Sequence, residues 1–151
     1  MSGFENIEDI LEFAIDQEEK AHDFYMDLAA KMAQPSMEKV FEGFAAEEMG
    51  HKMKLQAARD GSVEIRSDED VPDLKIADYL VDVEPSEDMS YKDAVILAMK
   101  KEKAAYRLYL DLASAAVDKS HTDLFLGLAR QEANHKLRFE LEYDNEIMKE
   151  N

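Results

Sequence analysis

Glu48 and His51 stand three apart in the stretch 41–55, FEGFAAEEMGHKMKL. On a helix that spacing sends a carboxylate and an imidazole from one face about one turn apart, so both can reach a single metal ion. One such pair carries little weight, because most Glu-x-x-His pairs on helices simply face water. The pattern returns as FLGLARQEANHKLRF over 125–139, where Glu132 and His135 repeat the pair at a constant offset (132 − 48 and 135 − 51 both equal 84). At the same offset EEKAHDFY, starting at Glu18, is echoed by EKAAYRLY, starting at Glu102. The chain reads as two copies of one helical hairpin, about 5–60 and 90–149.

The position of the acids carries the argument. Glu18, Glu48, Glu102 and Glu132 each interrupt the middle of an apolar stripe, such as Ile10, Leu11, Ala14, Glu18, Ala21, Tyr25 and Leu28 in the first segment. A stripe at three- and four-residue steps faces a core, and an ionised carboxylate there costs several kcal/mol, to order of magnitude, unless it is paired or bound to metal. Four together repel one another strongly. Two divalent cations would cancel the four negative charges, while His51 and His135 add neutral nitrogen ligands. Lys52 and Lys136 follow the histidines by one residue and point to another face, so they are poor partners for these acids.

Four elements must bring these residues to one depth. Asn6 is a plausible cap for the first helix, which should fail near Gln34-Pro35 because proline disfavours helical geometry in the residue before it. Ser36 is expected to cap the second and Gly61 to stop it. Ser90, with Asp93 three residues on, opens the third, and Ser120 opens the fourth, which continues toward the C-terminus. Each acid then lies 12 residues past its cap (18 − 6, 48 − 36, 102 − 90, 132 − 120), about 18 Å at ~1.5 Å per residue. That is near mid-helix, so all four can meet in one layer even between antiparallel neighbours.

From 62 to 89 the periodicity is lost, Asp68, Glu69 and Asp70 crowd together, and Pro72 and Pro85 forbid one continuous helix. A short helical turn over 73–80 is the only element expected there. The segment is either a crossover along the bundle or a piece exchanged with a second subunit. Two short turns and one long middle connection describe an all-α, antiparallel four-helix bundle with one crossover between helices 2 and 3, a single domain over 1–151.

Composition removes several functions. The formal charge of −17 opposes a nucleic-acid or anionic-membrane partner. With no cysteine, disulfides, thiol catalysis and iron–sulfur clusters are excluded, so redox chemistry must use other ligands. The opening MSGFENIEDIL has no basic segment followed by an apolar run, and no apolar stretch is long enough to span a bilayer, so a cytoplasmic protein is expected.

The four helices resemble the ferritin-like di-iron carboxylate proteins, and within them the rubrerythrin branch. Glu18 and Glu102 match the single-glutamate helices, with the Glu-x-x-Ala-x-x-x-Tyr pattern that runs on to Tyr25 and Tyr109, and Glu48/His51 and Glu132/His135 match the two paired motifs. The resemblance implies two iron ions held by Glu18, Glu48, His51, Glu102, Glu132 and His135, with manganese or zinc suited to the same donors. It implies an oxidoreductase in which ferrous iron reduces hydrogen peroxide or dioxygen, with Glu48 and Glu132 as bridges, in a homodimer. Two departures stand out. Ala105 occupies the place of the family's extra third-helix glutamate, leaving a symmetric six-ligand set closer to that of bacterioferritin, and the chain has no four-cysteine rubredoxin domain, so electrons must come from a separate donor such as a rubredoxin. The alternatives are a ferroxidase in iron storage or detoxification and a non-enzymatic metal-binding bundle.

Other residues rank lower. His22 lies four after Glu18, on the side where it can touch the site, but its counterpart Tyr106 is no equivalent ligand. His121 lies 11 residues before Glu132, about 16 Å along the axis, too far for the same ion. Tyr25 and Tyr109 sit two turns beyond their glutamates, where buried packing is the commoner role.

Overall fold

Asn6 does open the first helix of the computed structural model, which describes residues 6–66, 79, 81 and 89–147. Its side chain accepts from the backbone N–H of Asp9 at 2.9 Å, satisfying a donor that the first turn leaves without an intrahelical partner. The helix α1 spans Ile7–Ala30. After a short turn α2 runs Pro35–Asp60, and here the expected cap fails: Ser36 lies inside the helix, and Gln34 takes the cap position without a side-chain bond. Proline at the first helical position explains the shift, since its fixed φ suits that place and its missing N–H is no loss there. Gly61 closes α2 with an ordinary φ of −86°, and the left-handed residue is the next one, Ser62, at φ 67°.

The α1–α2 hairpin buries Leu11, Ala14, Tyr25 and Leu28 against Phe41, Ala45 and Leu55. Tyr25 meets the edge of Phe44 with ring centroids 5.8 Å apart, and Phe44 in turn meets Phe41 at 6.2 Å. Such edge contacts are worth about 0.5–1.5 kcal/mol beyond the area they bury. On the outside, Lys52 Nζ donates to Glu19 at 2.7 Å and Arg59 pairs with Glu12.

The other compact unit holds α3 (Tyr91–Ala115), α4 (Lys119–Glu142) and a closing π-helical turn, Tyr143–Ile147. Ser90 Oγ accepts from Asp93 N–H at 3.1 Å, as its position in the sequence suggests. The start of α4 departs from expectation by a residue or two, because Asp118 rather than Ser120 takes the cap, again without a side-chain bond. The interior is built from Val95, Ala98 and Leu112 of α3 with Phe125, Leu128 and Phe139 of α4. The first residues of the crossover belong to this unit: Ile65 bridges Ala116, Arg66 N–H donates to the Ala115 carbonyl at 2.7 Å, and Val117 N–H donates to the Glu64 carbonyl at 3.1 Å. Further on, the buried Tyr79 donates its hydroxyl proton to Asp111 at 2.7 Å. Of the connection's described residues, Glu64, Ile65 and Arg66 are thus held at the C-terminal end of α3 and Tyr79 one turn before it. The helical turn expected over 73–80 lies, Tyr79 apart, outside the described residues.

Gly43 and Gly127 occupy equivalent places in the two hairpins, in helix interiors where an added Cβ meets nothing within 4 Å. Neither turn nor close approach requires glycine there. Gly43→Ala and Gly127→Ala are each expected to stabilise the fold by about 0.5–1 kcal/mol, read as a raised urea midpoint at unchanged slope.

Candidate metal centre

The two hairpins each gather one triad. In the first, α1 supplies Glu18 and α2 supplies Glu48 and His51, with relative exposures of 2%, 1% and 1%. His51 Nδ1 lies 3.2 Å from Glu48 Oε1 and 3.6 Å from Glu18 Oε2. In the second, α3 supplies Glu102 and α4 supplies Glu132 and His135, with exposures of 1%, 1% and 3%. Here His135 Nδ1 lies 3.7 Å from Glu102 Oε1. Within each triad, one donor atom from every residue falls within 4.8 Å of the others.

This geometry suits a cation. Two donors held about 2.1 Å from one ion, at adjacent corners of its coordination shell, stand roughly 3.0–3.5 Å apart, close to the separations seen. The donor set, two carboxylates and one imidazole per hairpin, fits divalent iron, manganese or zinc. Shifting the caps of α2 and α4 leaves the arrangement two-fold: Glu18 and Glu102 lie equally far past their caps (18 − 6 = 102 − 90), and so do Glu48 and Glu132 (48 − 34 = 132 − 118).

Burial lowers the pKa of His51, but hydrogen bonds and charge from Glu18 and Glu48 outweigh it and raise the pKa from 6.5 to about 10. The imidazole of the metal-free protein is therefore held protonated at neutral pH by the two acids it faces. Because the folded value exceeds the unfolded one, its contribution to stability is complete below pH 6.5 and is lost as pH rises toward 10. Metal-free protein is expected to show that decline in denaturant titrations between pH 6.5 and 10, and His51→Gln is expected to flatten it.

The remaining candidates separate cleanly. His22 is partly exposed and its Nδ1 sits 3.0 Å from Asp23, so it turns away from the triad beside which helical spacing puts it. His121 lies near Asp118 at the start of α4, apart from both triads. Tyr25 and Tyr109 are core residues, each 1% exposed. Lys52 and Lys136 pair with the surface acids Glu19 and Glu140, not with the buried ones.

One buried acid escaped the sequence reading. Glu142, 8% exposed, sits at the end of α4 and accepts a 2.7 Å hydrogen bond from the Tyr91 hydroxyl at the start of α3. The only sequence signal was that Glu142 falls on the apolar stripe; its counterpart in the first hairpin is Ala58, and that of Tyr91 is Ile7. The pair is a private feature of the second hairpin.

Fold and donors together define a ferritin-like four-helix protein with a buried carboxylate/histidine cluster that could bind metal. The structure superimposes on a Thermotoga maritima protein described provisionally as ferritin-like and diiron-carboxylate, with a TM-score of 0.75, 24% identity, and 95% of this chain and 97% of that one covered. A Pyrococcus furiosus protein of no stated function matches with a TM-score of 0.73 and 24% identity over 93% and 89% of the two chains. Both likenesses are of fold. No curated protein matches the sequence. The chain belongs to the rubrerythrin family, whose model matches residues 9–143. No helix among the described residues is long and apolar enough to cross a membrane.

Proposed function

We propose that the two triads act as one dinuclear iron centre and that the protein is an oxidoreductase reducing hydrogen peroxide or dioxygen. The observation that carries this reading is the repetition of one buried Glu/Glu/His triad in both hairpins of a rubrerythrin-family chain. Glu18 and Glu102 would hold one iron each as terminal ligands, His51 and His135 would complete each ion, and Glu48 and Glu132 would bridge them. Two ferrous ions held together supply both electrons that cleaving an oxygen–oxygen bond needs. The chain's own part is to fix the six donors on rigid helices and to keep bulk water out with Tyr25, Phe41, Tyr109 and Phe125, all 1% exposed or less.

Reduction of peroxide to two waters consumes two electrons and two protons, and a chain without cysteine must draw the electrons from a separate donor such as a rubredoxin, in a cytoplasmic setting. Ala105 leaves no seventh carboxylate to follow a change in iron charge, so the ligand set is expected to stay fixed through the cycle. The reading is tested by anaerobic ferrous titration followed by separate rapid mixing with peroxide and with dioxygen. Two irons per chain and rapid reoxidation support it, with the faster oxidant naming the activity. Fewer than two irons, or reduced protein inert to both oxidants, would end it. Dioxygen-driven oxidation with release of ferric iron would make the protein a ferroxidase instead.

A further inference from the structure

The two hairpins share one design and carry opposite charge. Over 94–110 and 124–139, the middles of α3 and α4, the chain has seven basic residues and two acids, and both acids are the buried Glu102 and Glu132. The equivalent stretches 84 residues earlier, 10–26 and 40–55, have three basic residues and eight acids. The net charges are therefore +5 (7 − 2) and −5 (3 − 8), on a chain of −17. The reversal is sharpest on α3, where Lys100, Lys103 and Arg107 stand exposed at three- and four-residue steps on one side of the helix. Their counterparts on α1 are Asp16, Glu19 and Asp23. Two of those acids are paired, Asp16 with Lys20 at 3.2 Å and Glu19 with Lys52 at 2.7 Å. Among the described residues no acid pairs with Lys100, Lys103 or Arg107; Asp111, four residues past Arg107, accepts from Tyr79 instead at 2.7 Å. A hairpin of this design folds with acids at these places, so its packing does not account for the bases.

We propose that this face of α3 is the docking surface for the electron donor, and that the donor is an acidic protein. The inference rests on the reading of the triads as a redox centre. Charge chooses the occupant: the acidic remainder of the chain repels such a partner, and the basic cluster is where it can settle, so the same field both steers the encounter and fixes its orientation. The cluster is small, about 10 Å along the axis from Lys100 to Arg107, which suits a patch on a compact protein better than the length of a nucleic acid. Tyr106, 37% exposed beside Arg107, adds an aromatic of the kind enriched where proteins meet. Position links the face to the chemistry. Glu102 is the chain neighbour of Lys103 and turns inward, so the face and the triad lie on two sides of one helix, about 10–12 Å across with its side chains. Each docking passes one electron, oxidising the donor and reducing one ferric ion, and two rounds restore the ferrous pair that peroxide consumes.

Binding is read first with both proteins oxidised, so that no electron moves: the full chain is titrated with an acidic rubredoxin and with an acidic ferredoxin. The expected result is a complex whose dissociation constant rises about 10-fold or more in Lys103→Glu/Arg107→Asp and stays within about twofold in Lys39→Glu/Lys54→Glu, which removes as much positive charge from exposed places on the first hairpin. The test substitutions install what α1 already carries at the same places, and helical circular dichroism checks that the fold is kept. In the parent the affinity should fall as salt rises from about 0.01 to 0.1 M and the screening length drops from about 30 to 10 Å. With iron-loaded protein, the second-order rate at which the reduced donor is oxidised should fall in step with the affinity. A parent that binds neither donor, equal effects in the two variants, an affinity indifferent to salt, or a face that takes duplex DNA in the donor's place would overturn the assignment. Failure of the redox reading shows separately, as protein that takes up no iron, because binding is scored without it.

Discussion

Replacing Glu48 with glutamine is expected to erase the rise in melting temperature that ferrous iron confers on the parent protein, while leaving the metal-free fold intact. The substitution keeps the shape and removes one charge from a side chain 1% exposed. Without metal, His51 keeps Glu18 as a partner 3.6 Å away, so the change in stability is expected to stay within about 1 kcal/mol. With metal, the loss is large. A ligand at 100 times its dissociation constant stabilises by about 2.7 kcal/mol, and a chain of this size gains roughly 2–4 °C per kcal/mol, so the parent should gain about 5–10 °C. Calorimetric scans with and without anaerobic ferrous iron check this. An unchanged iron-dependent shift in Glu48→Gln would remove Glu48 from the ligand set, and no shift in the parent would remove the metal.

The second large effect is expected far from the triads. Tyr91→Phe deletes the hydroxyl that donates to Glu142 and leaves a buried carboxylate short of that donor. Hydrogen bonds to charged groups are worth about 1.5–3 kcal/mol, and the loss here should fall in that range. The last turn of α4 holds no basic residue, and Glu142 lies at the negative end of the helix dipole. Removing both partners together, Tyr91→Phe with Glu142→Leu, is expected to recover most of the loss, because two apolar groups demand no pairing. Urea denaturation of the parent, both single variants and the double gives the coupling directly; a double variant as unstable as the sum of the singles would mean that the two groups act independently.

What the sequence disclosed was whatever is local or duplicated. Asn6 and Ser90 cap their helices because a side chain reaching three residues ahead is fixed by neighbours in the chain. Glu18, Glu48, Glu102 and Glu132 are legible because an acid in an apolar stripe is anomalous by itself, and an echo of the anomaly at one fixed offset is hard to produce by accident. The cap of α2 falls elsewhere than expected because two rules compete within a few residues, serine favouring the cap and proline the first helical position, and at α4 Asp118, a residue type as suited to capping, takes the place expected of Ser120. Helical spacing puts His22 beside Glu18, but a nearer surface acid, Asp23, holds it. The Tyr91–Glu142 bond joins residues 51 apart, and the pairing of Ile65 with Ala116 spans as many; no local pattern announces such partners.

The pairing at Ile65 has a consequence for how the molecule can be taken apart. Backbone hydrogen bonds described up to Ser62 are made with Ala57 and Arg59, and those from Glu64 onward with Ala115 and Val117, so the peptide after Val63 is a seam that the described pairings do not straddle. Each side of that seam keeps one complete Glu/Glu/His triad. A gene cut there would divide the proposed donor set evenly, one triad to each fragment.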